Sequence, residues 1–172
     1  SHVSLSDDGT AIAVIGQYTV SGNLHAYVYD KVGETWVMRT DVASNGYSQA
    51  VLSGNGECLL VDSIGVSNVY VYKYVGGTTW NYAYGIIPIA STESTALAIS
   101  STCNTIAVGT PGAVHTFDYN GAWTEIDHPF AGDRLSVALS AYGNNIVIGD
   151  PTLKTVQVFT RPTTTAVPTG SP

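Results

Sequence analysis

LSDDGTAIAV, residues 5–14, is the first of four versions of one phrase; the others are LSGNGECLLV (52–61), ISSTCNTIAV (99–108) and LSAYGNNIVI (139–148). The opening Leu or Ile falls at 5, 52, 99 and 139, at spacings of 47, 47 and 40 residues. Recurrence at such intervals marks a chain of like units, each too small to bury its own apolar faces. Within the phrase an apolar residue and a serine lead to a tight turn on Gly9, Gly56 or Gly143, and Cys103 takes the glycine's place in the third unit.

Working outward, each phrase is followed by an aromatic stretch: LHAYVY (24–29), VYVYKY (69–74), VHTFDY (114–119) and VQVFTR (156–161). A tryptophan follows three of these, Trp36, Trp80 and Trp123. The apolar period is two: Ile12 and Val14 alternate with Ala11 and Ala13, so both faces of that strand are apolar and both need cover. Turn signals such as DDG, GNG, YGN, VGG and NGA separate the runs, and no sustained helical stripe occurs. One unit therefore reads as four short antiparallel strands. The predicted fold is all-β, a β-propeller-like array of four repeats of 40–47 residues, the fourth incomplete. A linear solenoid is the rival, and the twist between successive sheets favours the radial stack.

The stretch RLSVALSAYGNNIVIGDP (134–151), followed by TVQVF, resembles the FG-GAP-type repeat of integrin-alpha-like propellers, and Gly109, Thr110 and Pro111 match the same place in the third unit. The resemblance spans residues 1–161. It implies an extracellular recognition or surface-structure module. The calcium loop of many such repeats has no counterpart here, since Asp7, Asp8 and Gly9 lie in a different turn, so no calcium site is carried over.

Charged residues make up 11% of the 172, against 44% hydrophobic, which excludes a disordered acidic chain. Six basic against 13 acidic residues give a net charge of −7, with no basic stripe for nucleic acid or anionic lipid. No apolar run is long enough for a spanning helix. The chain opens at Ser1 inside the first repeat and reads as a processed chain or a segment of a longer one. After Arg161 the text turns to PTTTAVPTGSP, so residues 162–172 read as a linker or stalk. Thr163, Thr164, Thr165, Thr169 and Ser171 are its O-glycosylation candidates, and no asparagine meets the N-glycosylation rule.

Cys58 and Cys103 are either two buried thiols or one disulfide. Their places beside the turns of neighbouring units put them at nearly one height on adjacent sheets, which favours the disulfide and hence an oxidising compartment.

There is no nucleophile elbow, CxxC or HExxH, and no pair of carboxylates is singled out by spacing. His25 and His115 are read as sharing one slot of the aromatic strand with Tyr70 and Gln157, a polar, partly exposed face. Tyr29, Tyr74 and Tyr119 are read as aligned, with Arg161 in the fourth unit. Trp36, Trp80 and Trp123 either pack between sheets or form sugar-stacking platforms beside Asn45, Asn81 or Asp127.

The expectation is an extracellular or cell-surface module, structural or adhesive, that self-associates, with a head-to-tail filament as one form, or tethers to a surface. The alternative is a glycan-binding, lectin-like propeller. No enzyme activity, metal or cofactor is expected. Partners would be copies of the chain, adjoining segments of a longer parent, or glycans. The missing fourth strand leaves Val156, Gln157, Val158 and Phe159 as an open edge for assembly.

Overall fold

The computed structural model describes residues 2–17, 24–43, 48–62, 67–77, 79–89, 96–132 and 136–161. The tail candidates Thr163, Thr164, Thr165, Thr169 and Ser171, and Asn45, lie outside them. Fifteen strands and no helix are found among these residues. The first sheet holds β1 (Val3–Leu5), β2 (Ala11–Gln17), β3 (Leu24–Val32) and β4 (Thr35–Ala43). The second holds β5 (Ala50–Leu52), β6 (Cys58–Asp62), β7 (Asn68–Gly76) and β8 (Thr79–Pro88). The third holds β9 (Ala96–Ile99), β10 (Thr105–Thr110), β11 (Gly112–Tyr119) and β12 (Trp123–Gly132), and the fourth β13 (Ser136–Leu139), β14 (Asn145–Asp150) and β15 (Thr155–Thr160). In each sheet the strands pair antiparallel in chain order, and the fourth has three strands among the described residues.

The repeated phrase is a hydrogen-bonding device. The N–H groups of Ser6, Ser53, Ser100 and Ser140 each donate to the carbonyl five residues on, at 2.8–3.0 Å. Their hydroxyls accept from the N–H of Ala11, Cys58, Thr105 and Asn145 at 2.8–3.0 Å. The residue in the glycine slot donates to the serine carbonyl, and its backbone is left-handed every time: φ is +69° at Gly9, +68° at Gly56, +63° at Cys103 and +72° at Gly143. Glycine adopts that conformation without steric cost. Cys103 is there for another reason, given below.

The sheets stack in chain order, and each interior junction has its own core. Ala11, Ala13, Ile15, Ala26 and Val28 of the first sheet meet Leu59, Val61 and Tyr72 of the second. Cys58, Leu60, Val69 and Val71 of the second meet Ile99, Ile106, Val108 and Phe117 of the third. Ala98, Ala107 and Val114 of the third meet Ile146 and Ile148 of the fourth. Alternation along a strand thus gives every sheet a forward face, turned to the next sheet, and a backward face. β6 and β10 are buried at every residue because both their faces are covered.

At the level of the tight turns each junction is also stapled. Between the first two sheets, Arg39 pairs with Asp30 and donates to the Gly56 carbonyl at 2.8 Å, its guanidinium 4.5 Å over the Tyr74 ring. Between the second and third, Cys58 and Cys103 form a disulfide with a Cα separation of 5.9 Å. Between the third and fourth, Arg161 pairs with Asp118 and donates to the Gly143 carbonyl at 3.2 Å. The position of Cys103 in the glycine slot is what lets it reach across.

Two alignments read from the sequence are corrected. Counted from the turn residue, Tyr29 pairs with Ile12 as Tyr72 pairs with Leu59 and Phe117 with Ile106. Tyr74, Tyr119 and Arg161 therefore share their slot with Lys31; the N–H of each of these four donates to the carbonyl next to the turn. By the same two-residue offset, His115 corresponds to Tyr27 and not to His25. β3 runs closer to its turn than the aromatic spelling suggests, so matching by spelling slipped by one side-chain period.

Candidate functional site

The two ends of the array differ. At the turn end the first three turns touch: the Asp7 N–H donates to the Gly54 carbonyl at 2.8 Å, and the Ser101 hydroxyl to the Asp7 carboxylate at 2.6 Å. The next acid, Asp8, is fully exposed, and its carboxyl is held below its ordinary value by the Ser6 hydroxyl first, then by the Thr10 N–H and hydroxyl. These groups satisfy one another.

The opposite end collects polar groups where β6, β10 and β14 finish. Asp62 is buried, and both its oxygens are engaged: one accepts from the N–H groups of Ser48 at 3.0 Å and Gln49 at 2.7 Å, the other from the Ser48 hydroxyl at 2.5 Å. It is a clasp that ties the chain entering β5 to the end of β6. The Thr110 hydroxyl likewise donates to the Ala113 carbonyl at 3.2 Å.

Asp150 is different. One of its oxygens accepts from the N–H groups of Thr152 at 2.8 Å and Leu153 at 2.9 Å, which shapes the turn into β15. The same residue lines an open cavity of about 490 Å³ together with Ser136, Pro151, Lys154, Thr155 and Val156. Lys154 holds a left-handed backbone, φ +55°, which is uncommon outside glycine and asparagine. Asp150, Lys154, Ser136 and Thr155 border one open hollow, and a second, smaller one shares Ser136, Gly149 and Val156 with it and adds Val137, Ala138 and Val147. This is the strongest candidate site among the described residues. Its signal in the sequence is slight: Asp150 sits in the GDP of the repeat, and only the structure joins it to Lys154.

Two of the three tryptophans have structural places. Trp80 packs into the core of the first junction, and Trp123 into that of the second. A Cβ on Gly85 of the second sheet would lie 2.4 Å from the Trp123 ring, so the indole rests directly on that backbone. Trp36 holds the same slot in the first sheet, opposite Lys31 as Trp80 is opposite Tyr74, but is 45% exposed. His25 and His115 bind carboxylates across the sheet, Asp41 at 2.8 Å and Glu125 at 2.6 Å. Val156, Gln157, Val158 and Phe159 do form the outer strand of the three-stranded sheet. The side chains of Asn81 and Asp127 lie outside the described set.

No family model matches the sequence, and no curated protein resembles it at a significant level. Solved structures do resemble it. A functionally unknown protein from Desulfotomaculum acetoxidans matches with a TM-score of 0.71 at 12% identity, over 93% of this chain and 51% of that one. A periplasmic gluconolactonase of Pseudomonas aeruginosa matches with a TM-score of 0.60 at 18% identity, over 92% of this chain and 55% of that one. A candidate 6-phosphogluconolactonase of Bacteroides uniformis matches with a TM-score of 0.69 at 14% identity, over 94% of this chain and 50% of that one. The chain spans about half the length of these structures.

At such identities the likeness shows the fold, and that fold carries enzymes. The expected structural or adhesive module, and its lectin-like alternative, are therefore overturned: two of the three likenesses are named for lactone chemistry and none for adhesion or glycan binding. The expectation that the chain is no enzyme falls for the same reason. Trp80 and Trp123, both half-buried, pack against the cores of two interior junctions, which gives each a structural role.

Proposed function

We propose that the four sheets are successive blades of a β-propeller, and that the propeller hydrolyses sugar lactones. The observation that carries this reading is the match of 92–94% of the chain to two structures named as gluconolactonase and 6-phosphogluconolactonase. The hollow bordered by Asp150 and Lys154 supports it at the level of residues. Opening a lactone adds water across the ring ester: the water oxygen bonds to the carbonyl carbon, the ring C–O bond breaks, and a carboxylate, a hydroxyl and one proton are released. Asp150 would take the proton from the attacking water through the oxygen that does not shape the turn. Lys154 would hold the carbonyl oxygen as it becomes negative, or an anionic group on the sugar. The disulfide and the periplasmic neighbour support a location outside the reducing cytoplasm.

The test is acid release from glucono-1,5-lactone in a pH-stat, with the buffer rate subtracted and the chain assayed over a range of concentrations. Asp150→Asn keeps the oxygen that accepts from Thr152 and Leu153 but removes the base. It should lose about 100-fold or more in rate, the usual weight of a positioned base. Acid release by the wild-type chain no faster than buffer, at every concentration, would remove the lactonase reading.

A further inference from the structure

The hairpins that join the third and fourth strands of the first three sheets each use a left-handed glycine: φ is +63° at Gly33, +63° at Gly77 and +82° at Gly121. The residue in front differs. It is Val32 in the first sheet, Gly76 in the second and Asn120 in the third. An asparagine before a glycine carries a reaction of its own. The glycine nitrogen can bond to the asparagine Cγ, because no β-carbon crowds that nitrogen.

The same pair occurs at Asn55–Gly56, in the tight turn of the second sheet; Asn45–Gly46 lies outside the described residues. Asn55 and Asn120 are both exposed, so exposure does not separate them. Their bonding does. The Asn55 Oδ1 accepts from the Ser53 hydroxyl at 2.7 Å and from the Glu57 N–H at 3.1 Å, and its Nδ2 donates to the Glu57 carboxylate at 3.3 Å. Gly56 is held as well. Its N–H donates to the Ser53 carbonyl at 2.9 Å, and its carbonyl accepts from Arg39 at 2.8 Å. A Cβ there would stand 3.2 Å from the Ala11 methyl. Asp8–Gly9 copies this arrangement in the first sheet, with Asp8 accepting from Ser6 at 2.7 Å and Gly9 donating to the Ser6 carbonyl at 3.0 Å.

Asn120–Gly121 has none of these restraints. The Asn120 backbone N–H donates to the Ala122 carbonyl at 3.1 Å, which closes the loop. Among the described residues the Asn120 side chain makes no hydrogen bond, and neither does the Gly121 N–H. Gly121 is exposed, and nothing lies within 4 Å of a Cβ built on it. Neither the amide carbon nor the nitrogen that attacks it has to break a bond before the two meet.

We propose that Asn120 is a self-modifying site of the folded chain, converted through a cyclic imide to aspartate and isoaspartate, while Asn55 is protected by its turn. The Gly121 nitrogen bonds to the Asn120 Cγ and gives up its proton. The Cγ–Nδ2 bond breaks, and ammonia leaves with that proton. The imide then takes up one water. Opening at one carbonyl gives aspartate; opening at the other gives isoaspartate, whose main chain runs through Cγ. The sum is one amide and one water giving one carboxylic acid and ammonia, with no oxidant or reductant. Either product adds a negative charge to a chain already at −7. The charge falls at the end of the array that holds the tight turns, since the Tyr119 N–H donates to the carbonyl of Asn104 beside the third turn. Isoaspartate also lengthens the loop between Tyr119 and Trp123, which pair in register with their rings 5.3 Å apart.

The experiment is incubation of the folded, oxidised 172-residue chain at mildly alkaline pH, with peptide mapping at intervals and fragmentation to assign each site. Position 120 should gain about 1 Da and separate into two forms, of which an aspartate-specific protease cuts one. Conversion at Asn55 should be slower by about 10-fold or more, the weight of the hydrogen bonds that must break first. In the reduced chain unfolded in urea, the two positions should convert at similar rates. Asn55 converting as fast as Asn120 in the folded chain overturns the proposal, and so does an Asn120 that stays intact when folded and converts when unfolded. Gly121→Ala places a methyl in open space but crowds the attacking nitrogen, so it should slow conversion at 120 and leave Asn55 as it was. An unchanged rate at 120 in that variant would show hydrolysis without the imide and end the proposed route.

Discussion

Breaking the Cys58–Cys103 bridge should cost this chain about 4 kcal/mol, and the replacement chosen at position 103 should change the loss in a set direction. The bridge closes a loop between residues 45 apart. Loop-closure entropy of about −13 to −14 cal/mol/K for such a loop gives about 4 kcal/mol at 25 °C. Position 103 holds a left-handed backbone, φ +63°, in a slot where the other three units have glycine. A residue with a Cβ is strained there by about 1 kcal/mol or somewhat more relative to glycine. Cys58→Ala/Cys103→Gly should therefore be more stable than Cys58→Ala/Cys103→Ala by about 1 kcal/mol, although glycine fills less space. The assay is urea denaturation followed by tryptophan fluorescence, on the oxidised wild type, the reduced wild type and the two double variants. Equal midpoints for oxidised and reduced wild type would refute the stapling argument. A less stable glycine variant would refute the assignment of Cys103 to the repeated glycine slot.

Two further outcomes follow from named contacts. Trp80→Ala should lose about 3–5 kcal/mol, as for a large core truncation, while Trp36→Ala should lose under about 1 kcal/mol because that ring is 45% exposed; denaturant midpoints compare them. The lowered Asp8 carboxyl stabilises the folded chain above its unfolded pKa of about 3.9, and that contribution is lost as pH falls through the depressed folded value; NMR titration should find Asp8 low, and Thr10→Val should move it part of the way back up.

The strands were legible because two signals coincided in every unit. The serine and the left-handed turn residue fix where the first strand turns into the second, and period-two alternation fixes the rest. The disulfide was legible for the same reason, because its two cysteines sit at known offsets from those turns. The slip at Tyr29 and His25 shows the limit: aromatic spelling repeats every two residues along a strand, so it cannot by itself distinguish one register from the next on the same face. The clasp of Arg39 was illegible because it reaches a backbone carbonyl of another sheet, which has no residue type to give it away, and that of Arg161 because its partner across the junction, Asp118, lies 43 residues earlier in the chain. Function was misjudged because scarce, scattered carboxylates were taken to mean no site. Asp150 and Lys154 are four residues apart in a turn, and nothing in their spacing distinguishes a cavity wall from an ordinary hairpin.

Departures from the repeat are where such a site should be sought, since a sequence breaks its own local rule when something else is gained. Cys103 departs from the glycine slot and gains a disulfide to the second sheet. Arg161 stands where the second and third units have tyrosine and gains Asp118 and the Gly143 carbonyl. Lys154 departs as well: the turn between β14 and β15 asks for a left-handed residue at its end, which glycine or asparagine would supply at little cost, and the chain puts a lysine there. Unlike the other two, Lys154 makes no hydrogen bond or ion pair among the described residues that would offset its strain. What it does have is a place on the wall of the Asp150 hollow. A Lys154→Gly substitution separates the two explanations. If the lysine serves only the turn, glycine raises the unfolding midpoint and changes nothing else. If it serves the hollow, glycine raises the midpoint and lowers the rate of lactone opening, and an unchanged rate would end its candidacy.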